Sequence, residues 1–260
     1  MEIRMTITQR RKVNIEENIQ IGNNVFSMWL KVPDIINQVK AGQFISLFCN
    51  NESRLLPRPI SICEINKDRA MIRLVYRVVG AGTEEFSQLN KNDSIDIMGP
   101  LGNGFTLEGN KAILIGGGIG IPPMLELAKQ LTCEKHIVLG YRDSDTFLAE
   151  EFKNYGDVYI ATEDGSVGTK GNVIDAVRSN NLEADIIYAC GPTPMLKGIK
   201  DYAKEHGIRT QISMEERMAC GVGACLGCVC KSKEKDHHTK INNKRVCKDG
   251  PVFYGEEVEL

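Results

Sequence analysis

The chain has no marked excess of charge of either sign. Its 260 residues include 32 basic and 34 acidic side chains, for a formal charge of -2. A nucleic-acid binder would carry a basic excess or a basic stripe, so that class is set aside at once. Long apolar runs are missing too. The longest, residues 112–125, covers 14 positions and contains four glycines and two prolines, whereas a membrane-crossing helix needs about 20 apolar residues. No membrane segment is therefore expected. The opening residues, MEIRMTITQRRKV, have neither an apolar leader core nor a small-residue cleavage site, which points to a cytoplasmic, reducing setting. Internal repeats and low-complexity tracts are absent as well. The 42% hydrophobic content is that of an ordinary globular chain. At this length two domains are a better expectation than one.

Cysteine is what the chain has in an uneven pattern. There are nine. Cys49, Cys63, Cys133 and Cys190 are scattered and read as small hydrophobes. Cys220, Cys225, Cys228, Cys230 and Cys247 fall within 28 residues. In a reducing compartment such a cluster binds metal or carries redox chemistry. The spacing Cys220-x4-Cys225-x2-Cys228, with Cys247 after a further 18 residues, follows the plant-type pattern for a [2Fe-2S] cluster. A structural zinc site also takes four cysteines, but zinc ribbons pair two short knuckles and the second is missing. Gly221, Gly223 and Gly227 lie between the ligands, where a tight loop needs left-handed φ and close N–H approach to sulfur, and glycine permits both. Cys230 breaks the x2 spacing and reads as a bystander, with competition for the place of Cys228 as the weaker reading. His237-His238 sits in a polar, lysine-rich stretch and reads as a solvated hairpin rather than as Rieske-type ligands.

Residues 1–101 read as β structure. Runs at 5–8, 25–32, 43–48, 60–65, 71–79 and 94–97 alternate with turn residues, which predicts a six-stranded antiparallel barrel. A helix is expected from Thr83, as N-cap, to about residue 90. Beyond the turn-rich stretch 99–104 the period changes. Strands at 112–115, 136–141, 158–161, 186–189 and 209–212 alternate with helices at 123–131, 147–154, 173–178 and 195–205. That order predicts a doubly wound parallel sheet over residues 102–212. Residues 213–260 form a third, small segment, too short to bury much core without a staple such as a metal.

The strand at 112–115 ends in Gly116, Gly117 and Gly118, followed by Ile119, Gly120, Ile121, Pro122 and Pro123. A glycine turn opening a helix brings backbone N–H groups to a phosphate. It departs from G-x-G-x-x-G at Ile121, and a plain strand-to-helix turn remains open. A second turn, Cys190-Gly191-Pro192, follows a later strand, so the two could flank one dinucleotide. Glu163, Asp164 and the glycines 165, 168 and 171 form a loop assigned to the same edge, or a plain surface turn. In the barrel, Arg58 and Arg77 are the residue type that recognises phosphate, and the helix start at Thr83 offers a second anion site. Taken singly, these are ordinary surface features.

In order, R-P-I-S, G-T, GGGIGIPPM and CGPTPM make the chain similar to the ferredoxin–NADP reductase superfamily over residues 1–212. With MACGVGACLGCVCK and RVCKDGPVF added, the whole resembles the electron transfer subunits of dihydroorotate dehydrogenase B. The resemblance implies FAD contacts at Arg58, Pro59, Ile60 and Ser61, at Val75, Tyr76 and Arg77, and at Gly82 and Thr83. Ile60 stands where the superfamily usually has tyrosine, which alters flavin stacking there. It implies cluster ligation by Cys220, Cys225, Cys228 and Cys247. It places NAD against Gly116, Gly117, Gly118 and Gly120 and the turn Cys190, Gly191 and Pro192.

The function implied is a relay in pyrimidine biosynthesis, from dihydroorotate through the FMN of a catalytic partner, the [2Fe-2S] cluster and FAD to NAD⁺, in a heterotetramer of two copies of each subunit. Ser61 would hydrogen-bond near flavin N5 and Arg58 would hold the FAD phosphates. No acid or base residue is required for hydride transfer, so none is assigned. No residue set is left over for a small carboxylate substrate, which reads as a subunit rather than a complete enzyme. Two other readings stand beside it. One is a reductase subunit of a sulfhydrogenase or ferredoxin–NADP reductase type, and the other is a non-catalytic, zinc-stapled binding module. The glycine turns alone do not separate NAD from NADP, and no basic cluster for a 2′-phosphate stands out.

Overall fold

A computed structural model describes residues 9–51, 53–235 and 240–260. The strand expected at 5–8 and the pair His237-His238 lie outside those residues. Among the described residues no helix is long and apolar enough to cross a membrane.

Six strands close an antiparallel barrel: β1 (Arg11–Gly22), β2 (Val25–Lys31), β3 (Phe44–Phe48), β4 (Arg58–Asn66), β5 (Met71–Arg77) and β6 (Ser94–Leu101), in the order β1-β2-β5-β4-β3-β6. Period-two alternation sorts each strand into two faces. Ile45, Leu47, Ile62, Ile72, Leu74 and Tyr76 point into one buried cluster, the barrel interior. Phe44 and Met98 point outward into a second, and Cys63 and Val75 into a third. Strand β1 was not expected from the sequence at 11–22, because glutamates and asparagines interrupt its alternation.

Helix α1 (Ala81–Ser87) follows β5. Its N-cap is Gly80, not Thr83 as the sequence suggested. Thr83 sits one turn further in, and its hydroxyl accepts from the N–H groups of Val79 at 3.0 Å and Gly80 at 3.3 Å. A threonine at that place closes the helix start from inside the first turn.

The second unit is a doubly wound sheet. It contains β7 (Lys111–Gly117), β8 (Glu134–Tyr141), β9 (Asp157–Thr162), the two-residue β10 (Thr169–Lys170), β11 (Ile186–Cys190) and β12 (Arg209–Ser213), all parallel. Helices α2 (Pro122–Gln130), α3 (Ala149–Phe152), α4 (Val173–Ser179) and α5 (Thr193–His206) cover its faces. The helix expected at 147–154 shrinks to the four residues of α3, because Leu148 takes a left-handed φ of 67° and breaks the run.

The cysteine-rich segment forms the hairpin β13 (Val229–Lys231) and β14 (Asn243–Arg245). It then returns to the main sheet, where β15 (Val252–Tyr254) adds antiparallel to β12. Cys228, Cys230, Val246 and Cys247 share a buried cluster with Phe44, Met98 and Leu101 of the barrel and with Ile187 and Ile212 of the sheet. The segment is thus packed against both larger units.

Two polar braces tie barrel to sheet. Arg73 on β5, almost wholly buried, donates to Glu151 of α3 at 2.6 and 3.1 Å and to Ser27 Oγ at 2.8 Å. Glu126 on α2 accepts from the N–H of Ile65 at 2.7 Å, and burial pushes its carboxyl above the usual range. Such braces fix how the two units face each other, which matters when two cofactors must meet between them.

Candidate functional site

The barrel motif begins β4. Arg58 pairs with Leu47, Pro59 with Ser46, Ile60 with Ile45 and Ser61 with Phe44. Residues directly opposite in an antiparallel pair share a face, so Pro59 and Ser61 look outward with Ser46 and Phe44, while Ile60 leans on the interior cluster. The guanidinium of Arg58 lies across Gly82. A Cβ on Gly82 would stand 2.1 Å from Arg58 Nε and 2.4 Å from Cζ, so only glycine leaves it room. Arg58 also donates to the carbonyl of Leu56. Beside this motif Leu55, Leu56 and Val79 are exposed at 82%, 56% and 80%. Bare apolar side chains next to a held guanidinium suit a ligand with a flat ring at one end and phosphate at the other, as in FAD.

On β5 the three residues differ. Tyr76 is buried in the barrel, stacked on Phe26 at 5.9 Å and donating to Asn18 Oδ1 at 3.1 Å. Its ring is spent on packing, so a cofactor could meet it only through main chain. Val75 is buried against the second unit. Arg77 points outward into a cleft between barrel and sheet.

That cleft encloses about 460 Å³. Gly117, Gly118 and Pro192 line it, with Gly140, Arg142, Asp143 and Glu163 from the carboxyl ends of the parallel strands and Asn172 and Met195 from the starts of α4 and α5. Gly118 has a φ of 53° and nothing within 4 Å of where a Cβ would stand, so its backbone faces open space. Gly116, Gly120, Cys190 and Gly191 do not line the cleft but let the two turns touch. A Cβ on Gly120 would meet the carbonyl oxygen of Cys190 at 2.4 Å, and one on Gly117 would meet Met195 Sδ at 2.4 Å. The Cys190 side chain, expected beside the cofactor, is fully buried, and burial pushes its thiol well up. Arg142, Asp143 and Asn172 were missed in the sequence. The rule that ligands sit off the carboxyl ends of parallel strands would have found the first two, which directly follow β8.

The four candidate ligands of the third site fall into two pairs. Backbone N–H groups of Val222 (3.4 Å), Ala224 (3.3 Å) and Cys225 (3.4 Å) donate to Cys220 Sγ. The N–H of Gly227 donates to Cys225 Sγ at 3.4 Å, that of Cys247 to Cys228 Sγ at 3.4 Å, and that of Gly223 to Cys247 Sγ at 3.1 Å. Burial raises the Cys220 thiol, but these amides outweigh it and bring it down to about 6. Cys247 goes the other way. Burial first, and then the neighbouring Cys228, push it up to about 12.

Gly221 and Gly223 have left-handed φ of 68° and 81°. Gly227 does not. Its part is the close N–H, and the left-handed residue beside it is Leu226 at 59°. Among the described residues no three ligating side chains converge on a point for a single ion. Each of the four thiols has at least one backbone N–H donor, the kind of bond that tunes the sulfurs of a [2Fe-2S] cluster. Cys230 is buried with its thiol donating to the carbonyl of Lys244 at 3.4 Å, away from this donor set. Cys225 is exposed, so one pair reaches the surface.

The chain matches three domain families. They are the oxidoreductase FAD-binding domain over residues 12–105, the oxidoreductase NAD-binding domain over 114–201, and the iron–sulfur cluster binding domain of dihydroorotate dehydrogenase B over 215–259. A dihydroorotate dehydrogenase B (NAD(+)) electron transfer subunit from Fusobacterium nucleatum is 42% identical over 259 residues, covering 95% of this chain and 97% of its own. The protein of that name from Bacillus pumilus is 43% identical over 258 residues, with 95% and 97% covered. A solved NADH-dependent reduced ferredoxin-NADP oxidoreductase is 31% identical, with a TM-score of 0.85 over 95% of this chain and 89% of its own.

Proposed function

The chain belongs to the family of dihydroorotate dehydrogenase B (NAD(+)) electron transfer subunits, and we propose on that premise that it carries electrons from an FMN-containing catalytic partner, which oxidises dihydroorotate, to NAD⁺ in pyrimidine biosynthesis. An electron transfer subunit implies a catalytic one, and we propose two copies of each in the assembly. The observation that carries the reading is the strand order β5-β4-β3. The motif strand β4 has β5, with Arg77 in the nucleotide cleft, on one side. On the other it has β3, whose outer face packs against the cysteine segment. A flavin held on β4 would therefore stand between a nicotinamide and a cluster.

When bound, the flavin exchanges a hydride with NAD(H) and single electrons with the cluster. The residues of the chain hold and orient. Arg58, pinned over Gly82, supplies a fixed cation for the FAD phosphates. Ser61, on the outer face, is placed to hydrogen-bond near flavin N5, while Pro59, Ile60, Val75, Tyr76, Gly82 and Thr83 shape the bed through main chain and packing. Gly117, Gly118 and Pro192 offer backbone to the dinucleotide, over the closely packed Gly116, Gly120, Cys190 and Gly191. Arg77 and Arg142 line the same cleft as Asp143 and Glu163, so both signs of charge face the dinucleotide, and the choice of NAD rests on the family. Cys220, Cys225, Cys228 and Cys247 hold the cluster, and the exposed Cys225 marks the side from which the partner's electrons arrive.

Co-expression with an FMN-containing, dihydroorotate-oxidising partner tests this. Stable co-purification and dihydroorotate-dependent NADH formation are expected. Purification of the chain alone, or with a different redox partner, would favour the second reading. That reading, a reductase subunit of the ferredoxin–NADP type, draws on the 31% identity to the solved oxidoreductase.

A further inference from the structure

We propose that Ser46 contacts the iron–sulfur cluster: its hydroxyl donates to a cluster sulfur at Cys220 and raises the cluster's reduction potential. The inference rests on the reading that this chain binds both FAD and a [2Fe-2S] cluster.

Ser46 is the middle residue of β3. Its neighbours Ile45 and Leu47 fill the barrel interior, so its own side chain leaves the barrel on the opposite face. There it is 1% exposed, and its Oγ is buried with no hydrogen-bond partner. Buried hydroxyls are ordinarily satisfied, and one that is not marks a place where a further group belongs. The protein around it offers little: Met98 lies opposite on β6, and Phe44 and Leu101 are close by.

What faces the hydroxyl is the cluster loop. A Cβ on Gly221 would stand 3.2 Å from Ser46 Oγ, 3.2 Å from Leu101 Cδ1 and 3.5 Å from Met98 Cε. Gly221 directly follows Cys220, and its left-handed φ of 68° turns the loop onto the barrel here. A larger residue at 221 would fill the gap between hydroxyl and loop. The amides already aimed at Cys220 Sγ, from Val222, Ala224 and Cys225, all come from the loop itself. Ser46 is the barrel hydroxyl that faces the backbone directly after Cys220. Directly across the strand pair from it is Pro59 of the flavin motif. The hydroxyl therefore lies in the wall between the two cofactor sites.

Hydrogen bonds to cluster sulfurs stabilise the extra negative charge of the reduced form and so raise its potential. The test uses the full chain assembled with its partner, as wild type, S46A and S46T. Cluster and flavin contents are measured first, then the two reduction potentials by redox titration, then the EPR spectrum of the reduced cluster. S46A is expected to keep both cofactors, to shift the cluster potential negative and to change the g-values, with the flavin potential unmoved. S46T, which restores a hydroxyl, is expected to return both readouts to wild type. A cluster potential and EPR spectrum unchanged in S46A would overturn the proposal, as would S46T behaving like S46A. A crystal structure of the loaded wild type decides without any variant. Oγ within hydrogen-bonding distance of a sulfur supports the contact, and Oγ bonded to water or to a backbone carbonyl contradicts it. Wild type that binds neither flavin nor cluster would instead sink the underlying reading.

Discussion

The amide of Gly223 donates to the sulfur of Cys247 at 3.1 Å, across 24 positions of sequence. The carbonyl of the same Gly223 accepts from Arg245 Nη1 at 3.2 Å, and Arg245 is held by Asp249 at 3.0 and 3.1 Å. The loop with three of the candidate ligands and the turn with the fourth are thus one hydrogen-bonded unit.

That unit separates the clustered cysteines by role. Cys225→Ser removes an exposed thiol that has its own N–H donor, and it is expected to abolish the iron–sulfur EPR signal while flavin stays bound. Cys230→Ser keeps a donor to the Lys244 carbonyl. It is expected to leave the signal intact, at a stability cost below about 2 kcal/mol. EPR of both reduced variants, with iron counts, checks the pair.

Acid should loosen the same unit. Burial raises the Asp249 carboxyl, but its bonds from Arg245 outweigh that and hold it below the usual range. A carboxyl lower in the folded chain than in the unfolded one adds stability above the ordinary carboxylate pKa, about 3.9, and loses it as pH falls through the folded value. Asp249→Asn is therefore expected to cost about 1–2 kcal/mol at neutral pH and to flatten the fall in stability below about pH 4. Urea unfolding followed across pH 3–7 reads both effects. Parallel acid slopes for variant and wild type would contradict the assignment.

Gly82→Ala isolates the flavin side. The added Cβ would stand 2.1 Å from Arg58 Nε, and Gly82 lies in α1 without a left-handed φ, so the helix itself accepts alanine. The long side chain of Arg58 yields instead. FAD affinity is expected to fall at least about tenfold, or about 1.4 kcal/mol, with the melting temperature of the FAD-free chain little changed. Adding Arg58→Ala should cost little more, because both changes break one contact. Titration of the FAD-free chains with FAD measures all three.

The interdomain brace gives a stability prediction. Glu151→Ala leaves Arg73 buried with Ser27 and with Glu64 at 3.6 Å. Because the Glu151 side chain is 43% exposed, the cost is expected at about 1–3 kcal/mol rather than that of a fully buried pair. A lower urea midpoint at unchanged slope checks it. Slower flavin reduction by NADH should accompany it, since the nucleotide cleft would no longer be held against the barrel.

Local patterns carried most of the fold. The apolar strands at 112–115 and 186–189, the proline-led helix α2 and the barrel strands β2 to β6 were legible because each rests on short-range period and turn chemistry; β1 was not, since glutamates and asparagines interrupt its alternation. The cysteine spacing was legible because cluster geometry constrains it directly. What escaped depends on partners distant in sequence. Nothing within Val252–Tyr254 says that it will pair with β12, since an edge strand is chosen by the sheet it meets. Nor does the motif say which part of Tyr76 is left for a cofactor: strand alternation turns its ring into the barrel against Phe26 and Phe86, which leaves the main chain. Ser46 carries no motif at all. Its position matters only because the loop at Gly221 is folded onto it.

The most direct test is anaerobic reduction of the isolated, cofactor-loaded chain with NADH, followed by visible absorption and EPR together. Loss of the flavin band accompanied by the EPR signal of a reduced [2Fe-2S] cluster is the predicted result, with Cys225→Ser retaining the first change and losing the second. A chain that carries zinc and no flavin, or a flavin that NADH reduces while a bound cluster stays oxidised despite a potential within its reach, would contradict the relay.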